Sequence, residues 1–232
     1  MNAPRPARCV PYHVDSGNIR MLTSTTVVTP ARYDQGLIYA DFLGGSVVNR
    51  DKFENNYKTA PISEEDLAFF RKAAGLRDGP SKILAIAEAW CGDVYRELPT
   101  IARIAEATGM SLRIFLRDEN PDIMDEFLSN GGKSRAIPVF VFYTADFRYI
   151  AHFTERSAGA HAELATISNQ IKSRLNLPQS ATYATLPDAD RQIFIRELIS
   201  AIQPRSDAWR RESHQVPLFF SRLTVSSDIS IR

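Results

Sequence analysis

The feature that most constrains the fold is the stretch from residue 82 to 94, in which an apolar run leads directly to a cysteine. Residues 82–90 (KILAIAEAW) are almost continuously apolar, which is typical of a central parallel strand covered on both faces. From Gly92 to about residue 107, apolar side chains recur at helical spacing. Cys91 therefore falls at a strand-to-helix turn, where backbone N–H groups and the helix dipole stabilise a thiolate.

Charge and cysteine content limit the possible functions. The 232 residues include 28 basic and 27 acidic side chains, so nothing in the net charge of +1 favours binding to nucleic acid or an anionic membrane. The N-terminal residues lack a secretory signal, and no apolar run approaches the ~20 residues of a membrane span. With only Cys9 and Cys91, we expect a cytoplasmic protein without a disulfide framework. The four histidines share no metal-ligand spacing, so we expect no metal site.

The rest of the chain continues as strands and helices. Apolar periodicity and turn residues predict a strand at 111–117 and a helix at 120–132. They also predict a hairpin of two strands, at 138–143 and 148–153, and a closing helix at 159–175. Helices are also predicted at 29–45, from 63 onward, and at 188–203. We therefore expect a poorly ordered N-terminus over 1–25 and an N-terminal helical extension over 26–62. An α/β domain is expected over 63–176, followed by a C-terminal helix and tail over 177–232.

This order of elements, together with three local motifs, resembles the thioredoxin fold. Trp90-Cys91-Gly92 stands at the first strand-to-helix turn, and Pro99 lies where thioredoxins kink their first helix. Ile137-Pro138 opens the third strand, where this family has a cis-proline beside its active cysteine. The Glu-x-Trp-Cys-Gly-Asp motif is similar to that of a bacterial thioredoxin-like group. The resemblance implies an α/β thioredoxin fold, a central mixed sheet flanked by helices, with extra N-terminal helices and a C-terminal helical extension.

One position departs from the dithiol members of the family. They carry a second cysteine three residues after the first, and here that position is Val94. A dithiol reductase releases its mixed disulfide through that second thiol. The departure implies that Cys91 works as a single thiol, and that Cys9 or an external thiol resolves the intermediate. Apart from glutathione or another low-molecular-weight thiol as co-substrate, no cofactor is expected.

The charged residues next to Cys91 each have two interpretations. Cys91 itself is either a nucleophilic thiolate or a small buried side chain. Glu88 lies on the strand predicted over 82–90, among apolar residues, so it is either a proton acceptor for the thiol or part of a structural ion pair. Asp93 either contacts substrate or is simply a favourable acid at a helix N-terminus, and in both cases its charge opposes a thiolate in the same turn.

Further residues are predicted to hold substrate. Trp90 either packs beside the thiol or contacts a partner. Gly92 lies at the same turn and is expected to contact substrate there. A cis Ile137-Pro138 bond would turn the Ile137 backbone toward an extended substrate, although proline is also tolerated at the start of a strand.

Two arginines are expected at the edge of the sheet that carries Cys91. Arg117 ends the predicted strand 111–117 and Arg156 follows the second strand of the hairpin, and the carboxyl ends of both strands lie at that edge. Either one lowers the pKa of the thiol or binds a carboxylate such as that of glutathione, unless it forms a solvated surface ion pair.

Three functions are weighed for this sequence. The first is thiol–disulfide exchange through a mixed disulfide at Cys91, with a disulfide-containing protein or a small thiol as partner. The second is a non-catalytic thioredoxin-fold module that binds a peptide or protein. The third, an iron–sulfur cluster shared between two chains, is disfavoured because Asp93-Val94 departs from the Cys-Gly-Phe-Ser motif of that group. The oligomeric state is left open.

Overall fold

The computed structural model describes residues 12–15, 18–21, 26–45, 48–60, 62–129, 131–155, 158–182, 185–205 and 208–209. The described residues form two compact units, one ending at Glu155 and the other beginning at residue 158. The predicted tail beyond residue 209 lies outside the described residues.

A mixed four-stranded sheet is the centre of the first unit. A short antiparallel hairpin precedes it, formed by β1 (Tyr12–Asp15) and β2 (Asn18–Met21). The strands of the main sheet are β3 (Lys82–Ala87), β4 (Ser111–Leu116), β5 (Val139–Tyr143) and β6 (Tyr149–Thr154). Their spatial order is β4-β3-β5-β6, with β3 parallel to β4 and the other pairs antiparallel. The α/β thioredoxin fold expected from the sequence is confirmed.

Helices flank this sheet in the first unit and make up the second. In the first unit they are α1 (Pro30–Tyr33), α2 (Tyr39–Gly44), α3 (Arg50–Lys58), α4 (Glu64–Ala74), α5 (Gly92–Thr108) and α6 (Pro121–Met124). The second unit contains α7 (Ala158–Arg174) and α8 (Asp188–Ile202). Over the described residues, no helix combines the length and the apolar character needed to cross a membrane.

The core of the first unit includes residues from both the sheet and the N-terminal helices. Residues 83–87 of β3 are fully buried, as the continuous apolar run predicts. Phe53 of α3 is equally buried, and the Tyr33 hydroxyl donates to the Ser111 carbonyl at 2.7 Å and to the Ile83 carbonyl at 3.2 Å. Burial raises the pKa of Tyr33. The N-terminal helices and the sheet therefore share one hydrophobic core.

The segment 29–45, predicted as one helix, is two short helices. The predicted start is confirmed, since the Thr29 side chain accepts a hydrogen bond from the Arg32 N–H at 3.1 Å and Pro30 occupies the first turn. After α1, however, the chain turns, extends, and only then enters α2.

The interruption between α1 and α2 comes from pairing with β4. Leu37 donates its N–H to the Ile114 carbonyl at 2.9 Å and accepts the Ile114 N–H at 2.8 Å. The preceding residue, Gly36, lies so close to β4 that a Cβ there would be 2.7 Å from Phe115 and 2.8 Å from Arg113. Only glycine allows this approach without a shift of the neighbours, so contact with the sheet overrides continuation of the helix.

The helix predicted over 120–132 is also shorter than expected. It ends as α6 at Met124 and continues as a 3-10 turn over Asp125–Phe127. The Asn120 side chain does not cap it. Instead Asn120 accepts a hydrogen bond from Arg32 at 2.7 Å and donates to the Leu116 carbonyl at 2.8 Å.

The second unit has its own apolar core between α7 and α8. From the sequence, α7 is assigned to the domain spanning 63–176. In the structure, the buried residues of α7 pack instead with Leu186, Phe194 of α8 and Trp209. The Trp209 indole N–H also donates to Glu163 of α7, at 2.6 Å. The buried members of this core are Ala160, Ile167, Ile171, Leu186, Phe194 and Trp209.

Candidate functional site

Cys91 is the N-terminal capping residue of α5, just after the turn that follows β3. Its N–H donates to the Glu88 carbonyl at 3.1 Å, and its own carbonyl accepts the Tyr95 N–H at 3.2 Å. Cys91 is partly exposed. A thiol at this point lies at the positive end of the dipole of a 17-residue helix.

The thiol lies next to the start of β5. The Ile137-Pro138 peptide bond is cis, as expected, and both residues are buried. The Cys91 Sγ is 3.7 Å from the Ile137 carbonyl oxygen, in the geometry of an S–H donor. Pro138 in turn accepts the Glu155 N–H at 2.8 Å. The structure therefore brings Cys91, Ile137 and Pro138 together.

Asp93 forms an ion pair that the sequence reasoning missed. Its carboxylate is almost completely buried and accepts a hydrogen bond from the Arg96 guanidinium, one helical turn further on. The Arg96 nitrogens also lie 3.5 and 3.6 Å from the position that a Cβ on Gly92 would occupy. Arg96 therefore offsets much of the negative charge that was expected to oppose a thiolate at Cys91. The i, i+3 spacing of aspartate and arginine was the available sequence signal.

Glu88 lies just past the end of β3 and is partly exposed. Its carboxylate accepts the Asp118 N–H at 3.0 Å, while the Arg117 N–H donates to the Ala87 carbonyl at 3.3 Å. These two bonds join the loop after β3 to the loop after β4. Glu88 thus has a structural contact with the backbone of the neighbouring loop.

The exposed Trp90 and the partly buried Arg117 form a contact on the β4 side of Cys91. The Trp90 side chain is 53% exposed, and the Arg117 guanidinium carbon lies 5.0 Å from its ring centroid. Arg117 also forms an ion pair with Asp118 at 2.7 Å, which corresponds to the surface-pair interpretation. Arg156 lies outside the described residues.

Next to the Cys91 turn, α3 and its N-terminal capping residue contribute polar residues that the sequence did not single out. The Asn49 amide donates to the Ala89 carbonyl at 3.2 Å, and the Asn56 amide donates to the Tyr95 carbonyl at 2.7 Å. The Lys52 ammonium donates to the Asn49 side-chain oxygen at 2.9 Å and lies 4.8 Å from the Tyr95 ring centroid. The N-terminal extension therefore forms one wall of the site.

Comparison with known proteins identifies the family. A family model described as Thioredoxin matches residues 36–170, which is more than half of the chain. The chain belongs to the thioredoxin family. Because the match begins at residue 36, it includes α2 and α3 of the N-terminal extension as well as the sheet.

Comparisons with individual proteins add little about function. No curated protein matches the chain. A protein of unknown function from Pseudomonas aeruginosa has a similar structure, with 15% sequence identity and a TM-score of 0.49. The alignment covers 73% of this chain and 98% of that protein. An HIV epitope scaffold has 18% identity, with 58% of this chain and 81% of that chain covered, and a TM-score of 0.48.

Within this thioredoxin-family site, the third residue after Cys91 is Val94. Its side chain is completely buried in the core beneath α5. At the position where dithiol members of the family carry their second cysteine, this chain therefore has an apolar core residue.

Proposed function

We propose that the protein carries out thiol–disulfide exchange through a single reactive thiol, Cys91. The observation that carries the proposal is the position of Cys91, a partly exposed residue at the N-terminus of α5 whose Sγ is 3.7 Å from the Ile137 carbonyl oxygen beside Pro138. Two features support it: the helix dipole favours the thiolate, and the Arg96 guanidinium offsets the charge of Asp93.

In the first step, the Cys91 thiolate attacks one sulfur of a disulfide RS–SR. A Cys91–S–S–R bond forms, the substrate S–S bond breaks, and RS⁻ leaves with the electron pair. The thiol proton is taken up by Glu88 or by water before the attack. Cys91 is oxidised and one substrate sulfur is reduced. Disulfides on proteins and on small molecules both meet these requirements.

Because residue 94 is valine, the second step requires a thiol from elsewhere, and we assign it to an external thiol rather than to Cys9. Glutathione or another low-molecular-weight thiol attacks the mixed disulfide and restores Cys91, which fits a reducing cytoplasmic environment. We assign substrate contacts to Trp90, Gly92, Asp93 and the Ile137-Pro138 segment. We assign the supply of positive charge to Arg117 or Arg156.

Mass spectrometry of the intact protein after incubation with glutathione disulfide tests this proposal. We expect a glutathionyl adduct at Cys91 of the wild-type chain, distinguished from Cys9 by peptide mapping, and no adduct at position 91 in Cys91→Ser. In Val94→Cys, the new thiol would displace glutathione and leave an internal disulfide, whereas the matched control Val94→Ala would retain the adduct. A wild-type chain that forms no adduct at Cys91 contradicts the proposal.

A second candidate is a non-catalytic module that binds an extended peptide or protein. The exposed Trp90 ring favours it, since large exposed aromatic side chains are enriched at protein interfaces. Pull-down with the Cys91→Ser variant in the presence of reductant separates the two candidates. Partners that remain bound support the binding module, and partners lost under these conditions support exchange.

A further inference from the structure

The positive charges around Cys91 differ in how they are neutralised. Three arginines near the site each form an ion pair with a carboxylate: Arg96 with Asp93, Arg117 with Asp118, and Arg50 with Glu54. Lys52 is different, since its ammonium donates to the neutral amide oxygen of Asn49. Within the described part of the chain, no carboxylate lies at ion-pair distance from Lys52. The positive charge of Lys52 is therefore available to a ligand.

Lys52 and Cys91 are connected through Tyr95. The Lys52 ammonium lies 4.8 Å from the Tyr95 ring centroid. Tyr95 follows Cys91 by one helical turn, and its N–H donates to the Cys91 carbonyl at 3.2 Å. The Tyr95 hydroxyl lies 3.5 Å from the position that a Cβ on Gly92 would take. An anionic group attached close to a disulfide at Cys91 can thus reach Lys52 along the Tyr95 ring.

We propose that Lys52 selects disulfide substrates that carry a carboxylate, which it binds beside Tyr95 while Cys91 attacks the disulfide. This inference rests on the proposed exchange activity and adds the substrate class. Arg117 is less suited to this role, because Asp118 and the Trp90 ring already occupy its guanidinium. The covalent step is the one given above: Cys91 gains a bond to one substrate sulfur, and the other sulfur leaves as a thiolate.

Three small disulfides of different charge test the inference: dithiodipropionate (anionic), hydroxyethyl disulfide (neutral) and cystamine (cationic). Adduct formation at Cys91 is followed by mass spectrometry at an ionic strength of about 10 mM, where charges are weakly screened. The measured quantity is the rate with the anionic disulfide divided by the rate with the neutral one. We expect Lys52→Gln to lower this ratio about threefold, and the rate with cystamine to rise relative to the neutral disulfide.

Two matched variants isolate the charge at residue 52. Lys52→Arg keeps the charge and should restore the ratio, whereas Lys58→Gln removes an exposed lysine at the far end of α3 and should leave it at the wild-type value. A ratio that is the same in Lys52→Gln and the wild type, with adducts forming in both, overturns the inference and leaves the proposed exchange intact. Absence of adducts with all three disulfides in the wild type overturns both.

Discussion

On the α5 side of Cys91 the neighbouring ion pair is largely buried, whereas on the β4 side the ion pair is more exposed. The Asp93 and Arg96 side chains are 7% and 14% exposed. The corresponding pair on the β4 side, Arg117 and Asp118, is 23% and 61% exposed. Charges that are shielded from water interact more strongly with each other and with a nearby thiolate. The comparison indicates that α5, more than the loop after β4, determines both the stability and the reactivity of the site.

The largest effect is expected from breaking the buried pair. Arg96→Met removes the guanidinium and leaves the Asp93 carboxylate buried, which should lower the free energy of unfolding by about 3 kcal/mol. Because Asp93 then opposes the thiolate, the pH of half-maximal alkylation at Cys91 should rise by about half a unit. Urea unfolding and the pH profile of iodoacetamide alkylation measure the two effects.

The double variant Asp93→Asn/Arg96→Met is the control for the buried pair. It removes both charges, so it should recover most of the lost stability and return the alkylation profile toward that of the wild type. If Arg96→Met unfolds like the wild type, the two sides of the site do not differ as described.

An intermediate effect is expected at high pH where α3 meets α5. The Tyr57 hydroxyl of α3 donates a hydrogen bond to Glu106 of α5. The pKa of Tyr57 is raised mainly by burial and, to a smaller extent, by this hydrogen bond. A phenol whose pKa is raised on folding stabilises the protein below its unfolded pKa, about 10, and this stabilisation is lost as pH rises through the folded pKa. Urea unfolding at pH 9 and pH 11 should therefore show a smaller loss in Tyr57→Phe than in the wild type.

The other tyrosines with raised pKa, Tyr33 and Tyr39, are present in both proteins of this experiment. The difference between Tyr57→Phe and the wild type therefore reports on Tyr57 together with its charge coupling to Tyr39, whose pKa the Tyr57 charge also raises. Equal losses of stability between pH 9 and pH 11 would show that the Tyr57–Glu106 contact does not couple α3 to α5.

The smallest effect is expected on the β4 side. Arg117→Gln removes an exposed ion pair and the contact with Trp90, which should change the free energy of unfolding by about 0.5 kcal/mol. The rate of Cys91 alkylation should stay within about twofold of the wild-type rate, since exposed charges are screened. A change as large as that of Arg96→Met would reverse the comparison between the two sides.

The sequence predicts the central elements because their patterns are local. The continuous apolar run of β3 and the motif at residues 90–92 each identify their own position in the fold, and the structure agrees with both. The turn at Gly36 was missed, since its cause is close contact with Phe115 far along the chain. The same reason applies to Asn49 and Lys52, whose residue types do not indicate which distant backbone group or ring they contact.

The pairing of Leu37 with Ile114 has a consequence for the outer strand of the sheet. β4 lies at one end of the strand order, so its outward backbone groups are open to a strand from another molecule. Leu37 already occupies both outward groups of Ile114, near the middle of that edge. A second chain therefore cannot align with β4 along its whole length, and the segment between α1 and α2 protects the protein against aggregation through this edge.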